Sequence, residues 1–277
     1  MASSTRSIFA LRAAPSPVIG RLIGVLSVAA LILVWYLITL GAAESRVVSP
    51  AILPTPLEVG RRLLTLITGG SDAEGSTLAL NIAASLKRVI SGFFLAFIVG
   101  VPLGIIAGVS GPVRAALAPH ALFMRNIPLA ALIPLTMVSF GIDEQQKTMF
   151  IFLAVAPFLM GDAMVAIVRV PDKYVETAQT RGASTFQIIT KVLIPLAMPA
   201  IYSSMRTLFG LAVGYIMLAE LVNADLGLGH MLLVGQRRSD LPTIFATLVV
   251  IATLAFFVDK LLQLLQGKIF PYRPAED

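Results

Sequence analysis

Four stretches of this sequence contain no charged residue: 22–43, 89–113, 126–142 and 241–258. A helix that crosses a bilayer needs about 20 consecutive apolar residues. Four such runs within 277 residues therefore dictate a chain that threads a membrane several times. Composition agrees, with 13% charged residues, 57% hydrophobic ones and a mean hydropathy of +0.89. Soluble domains carry about a quarter charged residues. Half that supply cannot cover a globule, which excludes a water-soluble enzyme, a DNA-binding module and a disordered linker as readings of the whole chain.

The net charge of +6 arises from 21 Lys/Arg against 15 Asp/Glu. No basic run is interleaved with aromatics, so the excess reads as helix-end anchoring at a membrane surface and not as nucleic-acid binding. The absence of Cys removes disulfides, thiolate metal sites and a thiol nucleophile. His120 and His230 lie far apart in sequence and read as structural, so no metal site is expected.

Six spans are expected, near 20–42, 84–109, 115–140, 148–169, 195–221 and 242–266, making an all-α polytopic membrane protein. The layout is a tail 1–19, a first transmembrane helix 20–42, and an external segment 43–83 with a short surface helix over Leu57–Thr68. A five-helix core 84–267 and a tail 268–277 follow. Pro102, Pro128, Pro134, Pro157 and Pro199 punctuate spans two to five. Each frees a backbone carbonyl that a neighbour or water must satisfy, which suggests kinked helices around a cavity. Arg6, Arg12 and Arg21 precede the first span, whose uncharged run is longer than the about 7–15 residues of a signal-peptide core. An uncleaved helix is expected, although Ala42-Ala43 would suit a peptidase. Loop Lys and Arg number eleven on the N-terminal side against eight on the other, which favours cytoplasmic N- and C-termini.

One loop looks built for a partner: Pro171–Pro195, on the inner side. Pro171 suits a first helical turn and Asp172 complements the positive end of the helix dipole. The helix runs through Tyr174, Val175, Ala178 and Gln179 to Arg181 and stops at Gly182, a residue favoured just beyond helix C-termini. Ser184-Thr-Phe-Gln187 then has the spacing of a capping box. Ile188, Ile189 and Val192 give the second helix an apolar face. Two short helices meeting at a glycine elbow form a protrusion that can dock in a groove and pass a push into the adjoining spans.

The spacing of Glu176-Thr177-Ala178, three residues, Gly182, nine residues and Val192-Leu193-Ile194-Pro195 resembles the cytoplasmic EAA loop of ABC importer permeases. That pattern is Glu-Ala-Ala, three residues, Gly, nine residues, Ile, any residue, Leu, Pro. Thr177, Val192 and Ile194 depart from it by small or apolar exchanges. Three further stretches resemble the nitrate/sulfonate/taurine branch of these permeases. They are Ser85-Leu-Lys-Arg-Val with Gly92-Phe93 and Pro102-Leu-Gly104; Arg125–Leu135 followed by Phe140-Gly-Ile142; and Ala219-Glu220 followed by Gly227-Leu-Gly229.

The resemblance implies a type I ABC importer permease fold in a bacterial inner membrane. Two permease copies, a homodimer by default, would line one pathway working by alternating access. An ABC ATPase subunit would dock on each 171–195 loop, and an external solute-binding protein would deliver cargo. Asp172, Tyr174, Glu176, Ala178, Gly182 and Ser184 are the expected coupling residues. No Gly-x4-Gly-Lys-Ser/Thr loop occurs here, so no cofactor is expected in this chain, no covalent catalysis, and ATP with its Mg²⁺ belongs on the partner.

Ionisable groups within spans are costly and mark function by default. Arg206 lies ~16 Å into the fifth span at 1.5 Å per residue, Arg125 interrupts the third, and Asp162 sits in the fourth. Arg125, Arg206, Met217 and Glu220 are the pathway candidates, against a plain alternative in which Arg206 pairs with Asp162 to hold helices together. The cargo is left open between nitrate, a sulfonate such as taurine, and a neutral pyrimidine vitamin precursor. An ion-coupled carrier working without an ATPase is the rival, weakened by the lack of an internal repeat. Gly108-Val-Ser110-Gly hints at a serine hydrolase, but no carboxylate is placed to orient a base.

Overall fold

Every extended element among the described residues is a helix. The computed structural model describes residues 16–41, 46–69, 77–222 and 224–272. Arg6, Arg12, the Ala42-Ala43 peptidase candidate, Gly70–Asp72 and the last five residues lie outside them. The chain divides into two units, Met1–Arg62 and Leu63–Asp277.

In the first unit, α1 (Pro17–Ile38) starts where the Ser16 hydroxyl accepts from the Ile19 amide and ends at Thr39. Its large apolar side chains are exposed on all faces, as a helix that meets lipid requires. The Trp35 indole donates to the Pro54 carbonyl at 3.0 Å. Thr55 and Glu58 cap the start of α2 (Pro56–Ile67) reciprocally, and the Thr55 amide, with the Arg46 guanidinium beside it, holds the Glu58 carboxyl below its ordinary range.

The second unit is organised around α3 (Leu78–Val109) and α6 (Glu144–Val168), its most extensively packed pair. Gly92, Ala96, Gly100, Gly104 and Gly108 recur every four residues along α3 and are all buried. Residues four apart share one helix face, and small side chains there let two membrane helices meet backbone to backbone. A methyl on Gly92 would stand 2.5 Å from the Thr148 carbonyl oxygen, and one on Gly100 2.8 Å from that of Ala156. The contacts rise in step along both helices, so α3 and α6 run parallel, ending together toward the 171–195 loop.

Between them the chain makes α4 (Gly111–Arg125) and α5 (Leu129–Phe140), bent by 102°. The expected single span 115–140 is thus broken. Pro128 disfavours helical geometry at the residue before it, and the Asn126 side chain folds back onto the Leu122 carbonyl at 2.7 Å. Helices continue through Pro102, Pro134, Pro157 and Pro199, so Pro128 alone among the five coincides with a break.

After the loop, α9 (Ile194–Val222) runs back antiparallel to α3 and α6. A short helix absent from the sequence expectation, α10 (Leu228–Arg237), packs on α9, and α11 (Leu241–Ile269) returns alongside it. The Tyr202 hydroxyl donates to the Leu262 carbonyl at 3.0 Å, joining the loop-side ends of α9 and α11.

Candidate functional site

The 171–195 loop folds as helix, elbow, helix. The first helix, α7, covers Asp172–Thr180. Beyond it Gly182 adopts φ +77°, a left-handed conformation that glycine takes without steric cost. The Gly182 amide donates to the Gln179 carbonyl and the Ala183 amide to that of Ala178, at 2.9 and 3.0 Å. That pair of bonds is a Schellman ending. Ser184 opens α8 (Thr185–Ile188) with a complete capping box: its amide donates to Gln187 Oε1 at 2.9 Å, and its hydroxyl accepts from the Gln187 amide at 3.4 Å. A π-helical segment, Ile189–Leu193, then carries the chain into α9.

No residue of α7 is buried. Asp172, Tyr174, Glu176, Gly182 and Ser184 are exposed and Ala178 is half-buried. Phe186, which the sequence reading uses only as spacing in a capping box, is 74% exposed at the same elbow. Tyr174 also faces a cleft of about 640 Å³ between α6 and α9, together with Asp162, Arg169 and Ser204.

The pathway candidates scatter. The Arg125 guanidinium donates to Asp162 Oδ1 at 3.0 Å. Arg206 Nε lies 2.9 Å from Asp259 and its Nη1 donates to Gln266 at 3.2 Å. The suggested Arg206–Asp162 pair is therefore replaced by two others. The break after α4 brings Arg125 to α6, and the antiparallel return of α11 brings Asp259 to Arg206. Met217 is buried, with its carbonyl close against Gly229 of α10.

Glu220 is 0% exposed, at the end of the core opposite the loop. Its carboxylate accepts from the Ser85 hydroxyl at 2.8 Å, Arg88 Nη1 at 2.7 Å and the Gly229 amide at 2.8 Å. Arg88 also holds Glu144 through Nε and Nη2, at 2.7 and 2.5 Å, and the Leu226 carbonyl at 2.6 Å. The Gly227 amide donates to Asn81 Oδ1 and the Leu228 amide to the Ser85 hydroxyl, at 2.7 and 2.9 Å. Every contact here ties α3, α6, α9, the turn before α10 and the first residues of α10 to one another. The oxygens of Glu220 are occupied within the protein, which makes it a clamp between helices. Asn81, Ser85 and Arg88 continue on α3 the same face as the glycine ridge, and that periodic stripe is the signal by which the clamp could have been found.

Over residues 100–271 the sequence matches the family described as binding-protein-dependent transport system inner membrane component. It is 36% identical to a probable ABC transporter permease of Brucella melitensis over 83% of this chain and 88% of that protein. It is 35% identical to the taurine transport system permease TauC of Escherichia coli over 89% and 88%. Identity is 30% to the putative aliphatic sulfonates transport permease SsuC of Bacillus subtilis, over 92% and 88%. The fold is similar to that of the MetNI methionine ABC transporter in an inward-facing conformation, with a TM-score of 0.62 and 22% identity, covering 69% of this chain and 95% of that one.

Proposed function

Because the chain belongs to the family of binding-protein-dependent transport inner membrane components and is a multi-span permease of an ABC importer, we propose that two copies line a route for a small sulfonate-, taurine- or nitrate-like solute. An ATPase subunit docks on each helix–elbow–helix 172–188, ATP and Mg²⁺ being bound on that partner. An external protein delivers the solute, and both termini face the cytoplasm of a bacterial cell.

The observation that carries this reading is the exposed elbow. A polar α7 with no buried residue, beside an exposed Phe186, supports the docking of a partner at this elbow. The π segment and α9 continue from it without a break, so a displacement of the elbow is transmitted along a rigid element. Alternating access follows if closure of two ATPase subunits moves the two elbows together and α9 tilts against α6. The names of the sulfonate and taurine relatives support an oxyanion as cargo.

The chain has no Cys, so a single cysteine at position 176 or 186 reports cleanly. Expected are crosslinks to the ATPase subunit and protection from membrane-impermeant thiol reagents added outside. Labelling from outside, or no crosslink in a complex that hydrolyses ATP, overturns the docking.

A further inference from the structure

We propose that Arg125 and Asp162 form a two-charge contact for a small zwitterion, the solute's oxyanion going to Arg125 and its ammonium group to Asp162. This rests on the importer reading above and names the class of solute.

The pair is held differently from the clamp at the other end of the core. Phe158, Gly161 and Asp162 lie on one face of α6, and together they make a seat for the Arg125 guanidinium. Cζ of Arg125 lies 4.7 Å from the centre of the Phe158 ring, a cation–π stacking distance. A methyl on Gly161 would stand 2.6 Å from Nη1, so the guanidinium occupies space that only glycine leaves open. Nη2 donates to Asp162 Oδ1 at 3.0 Å. Yet neither charge is sealed: the side chains are 33% and 28% exposed, against 5% for Arg88 and 0% for Glu220. Asp162 lines the 640 Å³ cleft that opens toward the loop.

A guanidinium within a membrane core needs a counter-charge, and Asp162 supplies it. A simple anion in the cleft meets the Asp162 carboxylate and is repelled. A zwitterion instead exchanges one ion pair for two: its ammonium group pairs with Asp162 and its acid group with Arg125. No charge is left unpaired in a low-dielectric site, the condition that makes such an exchange affordable. The planar guanidinium fork suits a sulfonate or carboxylate face.

The test uses the detergent-solubilised complex of the permease with its ATPase, and taurine and ethanesulfonate as probes in ligand-observed saturation-transfer NMR. Ethanesulfonate lacks the ammonium group. Expected for Asp162→Asn is at least a tenfold loss in apparent taurine affinity with ethanesulfonate unchanged or tighter, and for Arg125→Gln a weakening of both. Equal effects of Asp162→Asn on the two probes, or a wild-type complex that binds neither, overturn the proposal. If Asp162→Asn does not accumulate, Asp162→Glu keeps the charge and must keep the preference for taurine; its loss counts equally against the contact. Taurine binding without ATP-driven taurine uptake in vesicles carrying the binding protein would strike the importer reading and leave the contact standing.

Discussion

Gly227 lies against Glu220 so closely that a methyl group on it would stand 2.5 Å from the carboxylate carbon. Its φ of +134° is also one that side chains with a Cβ rarely adopt. Gly227→Ala therefore meets both a clash and backbone strain, and a loss of about 1–3 kcal/mol follows from either alone. Thermal unfolding in detergent should show a clearly lowered midpoint. Gly210→Ala is the control, because nothing lies within 4 Å of that position. Equal midpoints for the two variants would contradict the packing described.

Arg88 bridges Glu220 and Glu144, but the two pairs differ in worth. Removing one partner of a buried pair costs about 3–5 kcal/mol, because the other charge is left uncompensated. An exposed pair is worth about 0–1 kcal/mol. Glu144 is 65% exposed. Arg88→Ala and Glu220→Ala should thus sharply lower the yield of folded protein, whereas Glu144→Gln should be tolerated. Arg88→Lys should not rescue, since an ammonium cannot present the forked donors that Glu144 and Glu220 receive. Purified yield and monodispersity after extraction decide this.

The glycine ridge on α3 makes a graded prediction. A methyl at Gly100 meets the Ala156 carbonyl oxygen at 2.8 Å, and one at Gly104 presses on the Met160 carbonyl and on Ala163. Overpacking of this kind costs about 1–3 kcal/mol. Gly104→Val should destabilise more than Gly104→Ala, read as unfolding temperature. Identical behaviour of Ala and Val would mean that α3 and α6 are not in backbone contact there.

Gly182 has open space around it and strain alone to fear: its φ is +77° and nothing lies within 4 Å. Gly182→Ala costs about 1–2 kcal/mol locally, at an exposed elbow, so insertion should survive. Gly182→Asn should be milder, because Asn visits that conformation more readily. The expected readout is a lower ratio of solute imported to ATP hydrolysed, with Gly182→Pro the most severe. Unchanged coupling in all three would remove the elbow from the mechanism.

Arg206 is tied to α11 through Asp259 and Gln266. Arg206→Ala is expected to lower uptake and ATP hydrolysis in parallel, through loss of the α9–α11 junction. A selective loss of uptake, at equal protein level and ATPase rate, would place its guanidinium in the solute route instead.

Much of this was legible from local signals. The uncharged runs mark the spans, because lipid tolerates only apolar surfaces with internally satisfied backbones. Gly182 and the Ser184–Gln187 spacing mark the elbow, because helix ends are capped by residues within a few positions of one another. The Asn81–Ser85–Arg88 stripe, running on into Gly92 and Gly104, is written in the sequence as well, but its meaning depends on a partner helix. Whether Arg206 meets Asp162 or Asp259, whether Pro128 kinks a span or breaks it, and that Glu220 is enclosed by a turn with its own helix, were all decided by tertiary packing. The physical reason is one of range. Periodicity, capping and hydropathy act over a few residues or along one helix. Charge pairing in a membrane core goes to whichever group is brought within about 3 Å, and partners separated by 37, 53 and 132 positions in the chain acquire that distance only once the helices are packed.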